Sequence, residues 1–327
     1  MSISTPSRET ITIGFTQVID VLCDIADMYR MLGKQEDAVA LLKTGLSLPG
    51  DETALPTQTK LLTNYGKQLT TSMLRTSRTA EETLSVLANA REIAESLQDE
   101  SLLASVLYEL GETYFVRGHK TTGEDSDYDT ALAYFQQALA LREALQDEKS
   151  MPQSLLGVGR MYQNIGQNEA AQLYIERALQ SAEQQQDRAI QGEATNHIAI
   201  LKAGQDDIEG AIQLVRVAIT IREQAGLAAE VPYSYLTLAE LYMANGKSKE
   251  AFNTYQQCYA LAEQVQATQV TVTVLLGIGY VYLEDGEATR AIEQFKRAET
   301  LAKSIGHKAG MQEAQEALEE TDERTYS

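Results

Sequence analysis

The histidines His119, His197 and His307 and the acidic run Asp125, Asp127 and Asp129 are the residues best suited to metal or proton chemistry. A metal site or a general base needs partners at fixed spacing, and no two of these histidines share one. The aspartate series resembles the opening of a calcium loop. Such a loop needs glycine at its sharp turn and a closing glutamate, where this chain has Thr130 and Gln136. Gly118 to Thr130 (GHKTTGEDSDYDT) therefore reads as a solvated, flexible insertion. Gly157-x-Gly159 and Gly277-x-Gly279 fall inside helical patterns, so they read as packing positions rather than phosphate cradles. No nucleophile motif and no zinc spacing occurs, so the expectation is no enzyme, no metal and no cofactor. Cys23 and Cys258 sit in unrelated segments without paired or metal spacing, which predicts reduced thiols and a cytoplasmic location.

The elements that carry these residues repeat. Leu107, Leu110, Gly111 and Tyr114 return as Leu155, Val158, Gly159, Tyr162 and as Leu275, Ile278, Gly279, Tyr282. Each tetrad is followed by a second signature: Ala131, Phe135, Ala138, then Ala171, Ile175, Ala178, then Ala291, Phe295, Ala298. The leading alanines Ala131, Ala171, Ala211, Ala251 and Ala291 set a period of 40 residues. A fixed period in this range marks a solenoid of stacked units, with function on a long curved surface. Each unit reads as helix, turn, helix. Gly33, Gly166, Gly246 and Gly286 end first helices, because glycine tolerates the left-handed cap.

Weaker copies extend the array. The first unit reads Leu22, Ile25, Ala26, Tyr29, then Ala38, Leu42, Gly45. The second reads Leu62, Tyr65, Gly66, Leu69, then Thr83, Leu87, Ala90, behind a loop marked by Pro49, Gly50 and Pro56. The fifth has Lys202 where the tyrosine should stand. About seven units span residues 16–308, after an extension over 1–15 that reads as disordered or extended. A capping helix and tail occupy 309–327, with the helix acidic on its outer side. Val270 to Val274 alternates like a strand, but its place inside a repeat favours helix. The uncharged stretch from Gln264 to Leu283 falls on the repeat register and reads as a buried helix, not a membrane span.

Bulk composition narrows the partners. The 327 residues carry 27 basic and 47 acidic side chains, a net charge of -20. Nucleic acid and anionic membranes need clustered Lys and Arg, and there is no basic run. A basic or amphipathic peptide fits the field, although acid also simply solubilises a helical surface. The start MSISTPSRETITIGF lacks a basic segment followed by an apolar one, so no signal peptide is expected.

Leu-x-x-Leu-Gly-x-x-Tyr followed by Ala-x-x-x-Phe-x-x-Ala resembles the tetratricopeptide repeat, from about Val18 to Glu320. The usual unit has 34 residues, and longer ones look like those of kinesin light chains, spindle-orientation adaptors and bacterial peptide-sensing regulators. The resemblance implies an all-α, right-handed superhelix of antiparallel helix pairs, whose first helices line a concave groove for a peptide or helix. By register that groove takes Tyr108, Glu112, Phe115, Leu156, Arg160, Gln163, Asn196 and Ile200 from the third to fifth units. The sixth and seventh add Tyr233, Leu236, Glu240, Met243, Leu276, Tyr280 and Leu283. Aromatic and Met side chains on such a surface suit recognition, unless they pack against the next repeat. Some members clamp a partner's terminal carboxylate with Lys and Asn. Here only Arg160 and Asn196 approximate that pairing, which favours an apolar or amphipathic helix. The expected function is a protein-interaction scaffold. A peptide-sensing switch and a self-assembling structural protein remain as alternatives, so self-association stays open.

Overall fold

In a computed structural model, residues 8–48, 54–120 and 125–326 are described. They form fifteen helices and no strand. Seven helix pairs follow one another: α1 (Arg8–Met31) with α2 (Gln35–Leu46), α3 (Leu55–Met73) with α4 (Ala80–Leu97), and α5 (Glu100–Lys120) with α6 (Asp125–Ala144). Next come α7 (Met151–Asn164) with α8 (Asn168–Gln185), α9 (Arg188–Ala203) with α10 (Ile208–Gln224), and α11 (Val231–Ala244) with α12 (Ser248–Gln264). The last pair is α13 (Thr268–Glu284) with α14 (Ala288–Ile305), and α15 (Lys308–Tyr326) packs on its end. The array is a right-handed all-α solenoid.

Small residues set its geometry. Ala131, Ala171, Ala211, Ala251 and Ala291 are all fully buried, so each second helix presses its backbone against its neighbours. A Cβ on Gly159 would lie 2.5 Å from Ile175 Cγ1, and one on Gly279 would lie 2.3 Å from Phe295 Cε1. Only a hydrogen fits there. Left-handed residues close the turns with the same arithmetic. Gly166, Asp206, Gly246 and Gly286 end first helices, and Gln146, Gln186, Gly226, Gln266 and Gly306 end second helices, each series at 40-residue spacing. Every 20 residues the chain reverses, which makes the pairs antiparallel.

Consecutive first helices touch one another from α1 through α15, while the second helices stand apart on the outside. The first helices therefore form the concave wall. The superhelix then closes on itself. The Arg75 guanidinium donates to the carbonyls of Gly33 (2.8 Å) and Val265 (2.7 Å), and the Ala229 amide donates to the Met31 carbonyl at 3.0 Å. Arg30 pairs with Glu230 at 3.2 Å. The first unit is thus docked on the sixth, and the groove becomes a walled lumen.

Two expectations are corrected. Thr10 to Ile13 is helical, because α1 begins at Arg8 and not after residue 15. The insertion after Gly118 is largely helix too. α5 continues to Lys120 and α6 begins at Asp125, so the three aspartates ride the first turn and a half of a helix and cannot converge on a cation. Asp127 instead pairs with Arg117. The part of the insertion at 121–124, and the loop marked by Pro49 and Gly50, lie outside the described residues. Pro56 stands in the first turn of α3, where its missing N–H costs nothing. Val270 to Val274 is helical within α13, where burial against neighbouring units overrides the strand propensity. Among the described residues no helix is long and apolar enough to cross a membrane.

Candidate functional site

Two adjoining cavities of about 390 and 300 Å³ occupy the lumen, within the size range of ligand sites. The larger is lined by Phe115, Arg160, Asn196, Tyr233 and Leu236 among others, and the smaller includes Tyr108 and Glu112. The structure thus brings together seven of the residues picked out by register. They come from α5, α7, α9 and α11, four consecutive first helices.

Arg160 organises this wall. Its guanidinium pairs with Glu112 and, at 3.1 Å, with Glu193, and it lies 5.0 Å from the Phe115 ring centroid. Burial alone would weaken the cation, but the two carboxylates raise its pKa, so the charge is fixed. Tyr108 donates its hydroxyl hydrogen to Glu112 at 2.9 Å. Asn196 donates to Thr237 Oγ1 at 3.1 Å, and its Oδ1 is buried with no partner among the described residues. A buried amide oxygen left unpaired is costly, so this acceptor suits a donor from an incoming chain. His197 donates from Nδ1 to Gln163 Oε1 at 2.7 Å; burial and the nearby Arg160 and Arg222 push its pKa down to about 3. It is neutral at physiological pH and works as a strut rather than a base.

Two carboxyls on the first helices are stressed. Burial pushes Glu109 up to about 7, against the opposing pull of Lys67. Glu240 has an exposed surface yet is hemmed in by protein, and that desolvation together with Glu313 pushes it up to about 7. Glu313 belongs to α15, so one acid of the cap stands within electrostatic reach of α11.

The other register picks are placed differently. Leu156 and Leu276 are each 2% exposed and belong to the core, because neighbouring first helices approach there and close over the residue between them. Tyr280 packs edge-on to Phe295, with ring centroids 5.2 Å apart, and Leu283 joins the same cluster beneath α15. Met243 packs against the core of the sixth unit, Ile200 is exposed, and Gln163 is held by His197. Conversely, the lumen is lined by Glu109, Val116, His119, Glu193 and Thr237, which the register list omits. Each stands three, four or seven places from a residue that was picked, so extending the same helical face would have found them. Arg30, Arg75 and Arg222 reach the lumen through closure or from a second helix, and no local pattern signals that. A separate cavity of about 330 Å³ between α12, α13 and α14, lined by Tyr259, Tyr282 and Arg297, opens on the outside.

The comparisons agree with this architecture. Tetratricopeptide repeat models match residues 154–189 and 230–304. Those two segments carry the tetratricopeptide repeat pattern, in the part of the array where the 40-residue period is clearest. It is similar in fold to the structure of NprR in complex with its cognate peptide NprX, at TM-score 0.66 and 12% identity, over 97% of this chain and 84% of that one. It is similar also to a Rap protein complexed with competence and sporulation factor, at TM-score 0.58 and 12% identity, over 94% and 98% of the two chains. A third structure is aspartyl phosphate phosphatase F from Bacillus subtilis, at TM-score 0.54 and 13% identity, over 99% and 95%. Identities this low carry the fold alone. No curated protein matches the chain by sequence.

Proposed function

We propose that this protein is a non-enzymatic receptor for a peptide or short helical segment, held in the lumen by the first helices of the third to sixth units. The observation that carries the reading is the walled cavity lined by Arg160, Asn196 and Tyr233, in whose wall Asn196 Oδ1 is buried without a partner among the described residues. An extended peptide needs backbone partners along a groove, and a buried amide provides one, while Phe115, Tyr233 and Leu236 provide apolar contact. The peptide-bound neighbours favour the same class of ligand, in proteins of the same fold.

The ligand is basic or amphipathic in this reading. Glu109 lines the lumen with its pKa raised by burial, and an ammonium or guanidinium from the ligand would ionise it. Both cysteines are buried free thiols, in keeping with a reducing, cytoplasmic setting. A switch is the second reading, favoured by the docking of the first unit on the sixth, since a ligand in the lumen contacts both sides of that seam.

The test is affinity capture from the source cell with the whole chain, compared with Asn196→Ala and Tyr233→Ala, with bound peptides identified by mass spectrometry. The reading expects a peptide recovered with the wild type and lost with both folded variants. Retention by both variants would contradict it.

A further inference from the structure

We propose that the outer face of α1 is where two copies of this chain pair. The face is defined by an anomaly of register. Aligning Leu22, Ile25, Ala26 and Tyr29 with Leu155, Val158, Gly159 and Tyr162 sets Val21, Ile25 and Met28 over Ser154, Val158 and Met161. Those three residues of α7 are fully buried beneath the preceding second helix, as are their counterparts in α5 and α13 nearly so. On α1 the same positions are 55%, 36% and 60% exposed. The sequence has the apolar side chains of a covered helix where no helix among the described residues covers it.

The stripe also runs further than the repeat requires. Ile11, Val18, Ile25 and Leu32 fall every seventh residue, with Val21 and Met28 between them, and Ile11, Val18 and Leu32 are each about half exposed. This heptad spacing keeps one apolar seam on one face of the helix, the pattern by which helices pair along their length. α1 is the longest helix of the chain, at 24 residues. Its exposed aliphatic surface is on the order of 500 Å², at the upper end of what a monomer leaves bare. With the polar flanks it approaches the ~800 Å² per partner that a stable interface buries.

A second copy fits this face better than end-to-end stacking does. Stacking would bring α15, with Glu313, Glu316, Glu319 and Glu320 exposed, against a helix flanked by Asp20 and Asp24. Two-fold pairing uses the one apolar stripe twice and needs no other surface. An antiparallel register that sets Val18 opposite Val21 of the second copy also places Asp24 beside a glutamine, Gln17, rather than another acid. The pairing is independent of the lumen, which lies on the other side of the first unit.

The test is sedimentation of the full chain from about 1 to 100 µM, over which a mass-action dimer reveals itself. The expected mass rises from 36.0 kDa toward twice that value. Added salt should tighten the dimer, because it screens two chains each of charge -20 without weakening apolar contact. The Val21→Glu/Met28→Glu variant should dissociate at least about a hundredfold more readily, with an unchanged far-UV spectrum. Val18→Lys, on the same open face, serves if the double variant misfolds. A wild type that stays at 36.0 kDa throughout, or a dimer indifferent to these substitutions, would overturn the proposal. So would a monomer that instead binds an amphipathic helix on α1.

Discussion

Replacing Gly279 with alanine should destabilise the solenoid by about 1–2 kcal/mol, although alanine is the better helix former. The added Cβ would stand 2.3, 2.7 and 2.8 Å from Phe295 Cε1, Cδ1 and Cζ. Carbon atoms settle at about 3.5–4.0 Å, so the ring would have to retreat by more than ~1 Å. It has little room, being fully buried and packed edge-on by Tyr280. Overpacking costs about 1–3 kcal/mol, a forced retreat this large belongs to the upper part of that range at about 2–3, and the gain in helix propensity returns about 1. Urea denaturation followed by circular dichroism measures the difference. The reasoning makes a sharper demand on the double variant. Phe295→Leu alone should also destabilise by opening a cavity, but combined with Gly279→Ala it should recover at least about 1 kcal/mol of coupling. A Gly279→Ala protein as stable as the wild type, or strict additivity in the double variant, would refute the close-packing argument.

Three other outcomes follow from named interactions. Gln186→Gly should stabilise by up to about 1 kcal/mol in the same assay, since a left-handed side chain costs about 1–2 and glycine's entropy takes back 0.5–1. Glu109→Gln should raise the urea midpoint at pH 8 and leave it nearly unchanged at pH 5. The folded-state pKa of about 7 lies above the ordinary 4.5, so the ionised carboxyl penalises the fold as pH rises through that window; the ceiling is about 3 kcal/mol, lowered by lumen water. Arg75→Ala removes the bond to Val265 across the seam and the bond to Gly33 that steadies the same guanidinium, each worth about 1.5–3 kcal/mol for a charged donor, and should enlarge the hydrodynamic radius while leaving helicity intact.

The period of 40 residues made the architecture legible because each unit packs only on its neighbours, so local sequence dictates local structure. Gly33, Gly166, Gly246 and Gly286 are left-handed where the turns required it. Gln146, Gln186, Gln266 and Asp206 take the same conformation, and their residue types give only weak notice of it. The second unit, thin in sequence, packs Leu87 against Gly66 in the regular manner. Closure of the lumen was not legible, because it depends on the summed rotation of the pairs from the first to the sixth. That sum decides that Arg75 meets Val265 across 190 positions. Leu156 and Leu276 fell to a related blindness: register gives the face of a helix, but not how closely the next helix approaches it.

The central claim is that the lumen, not the outer surface, is where this protein recognises a ligand. The most direct measurement is hydrogen exchange by mass spectrometry on the whole chain, with and without a peptide recovered by affinity capture. The account predicts slowed exchange in α5, α9 and α11 and across the contacts of Arg75 and Ala229, with α8, α10 and α12 unchanged. Protection confined to the outer helices, or to the cavity beside Tyr259 and Arg297, would contradict it.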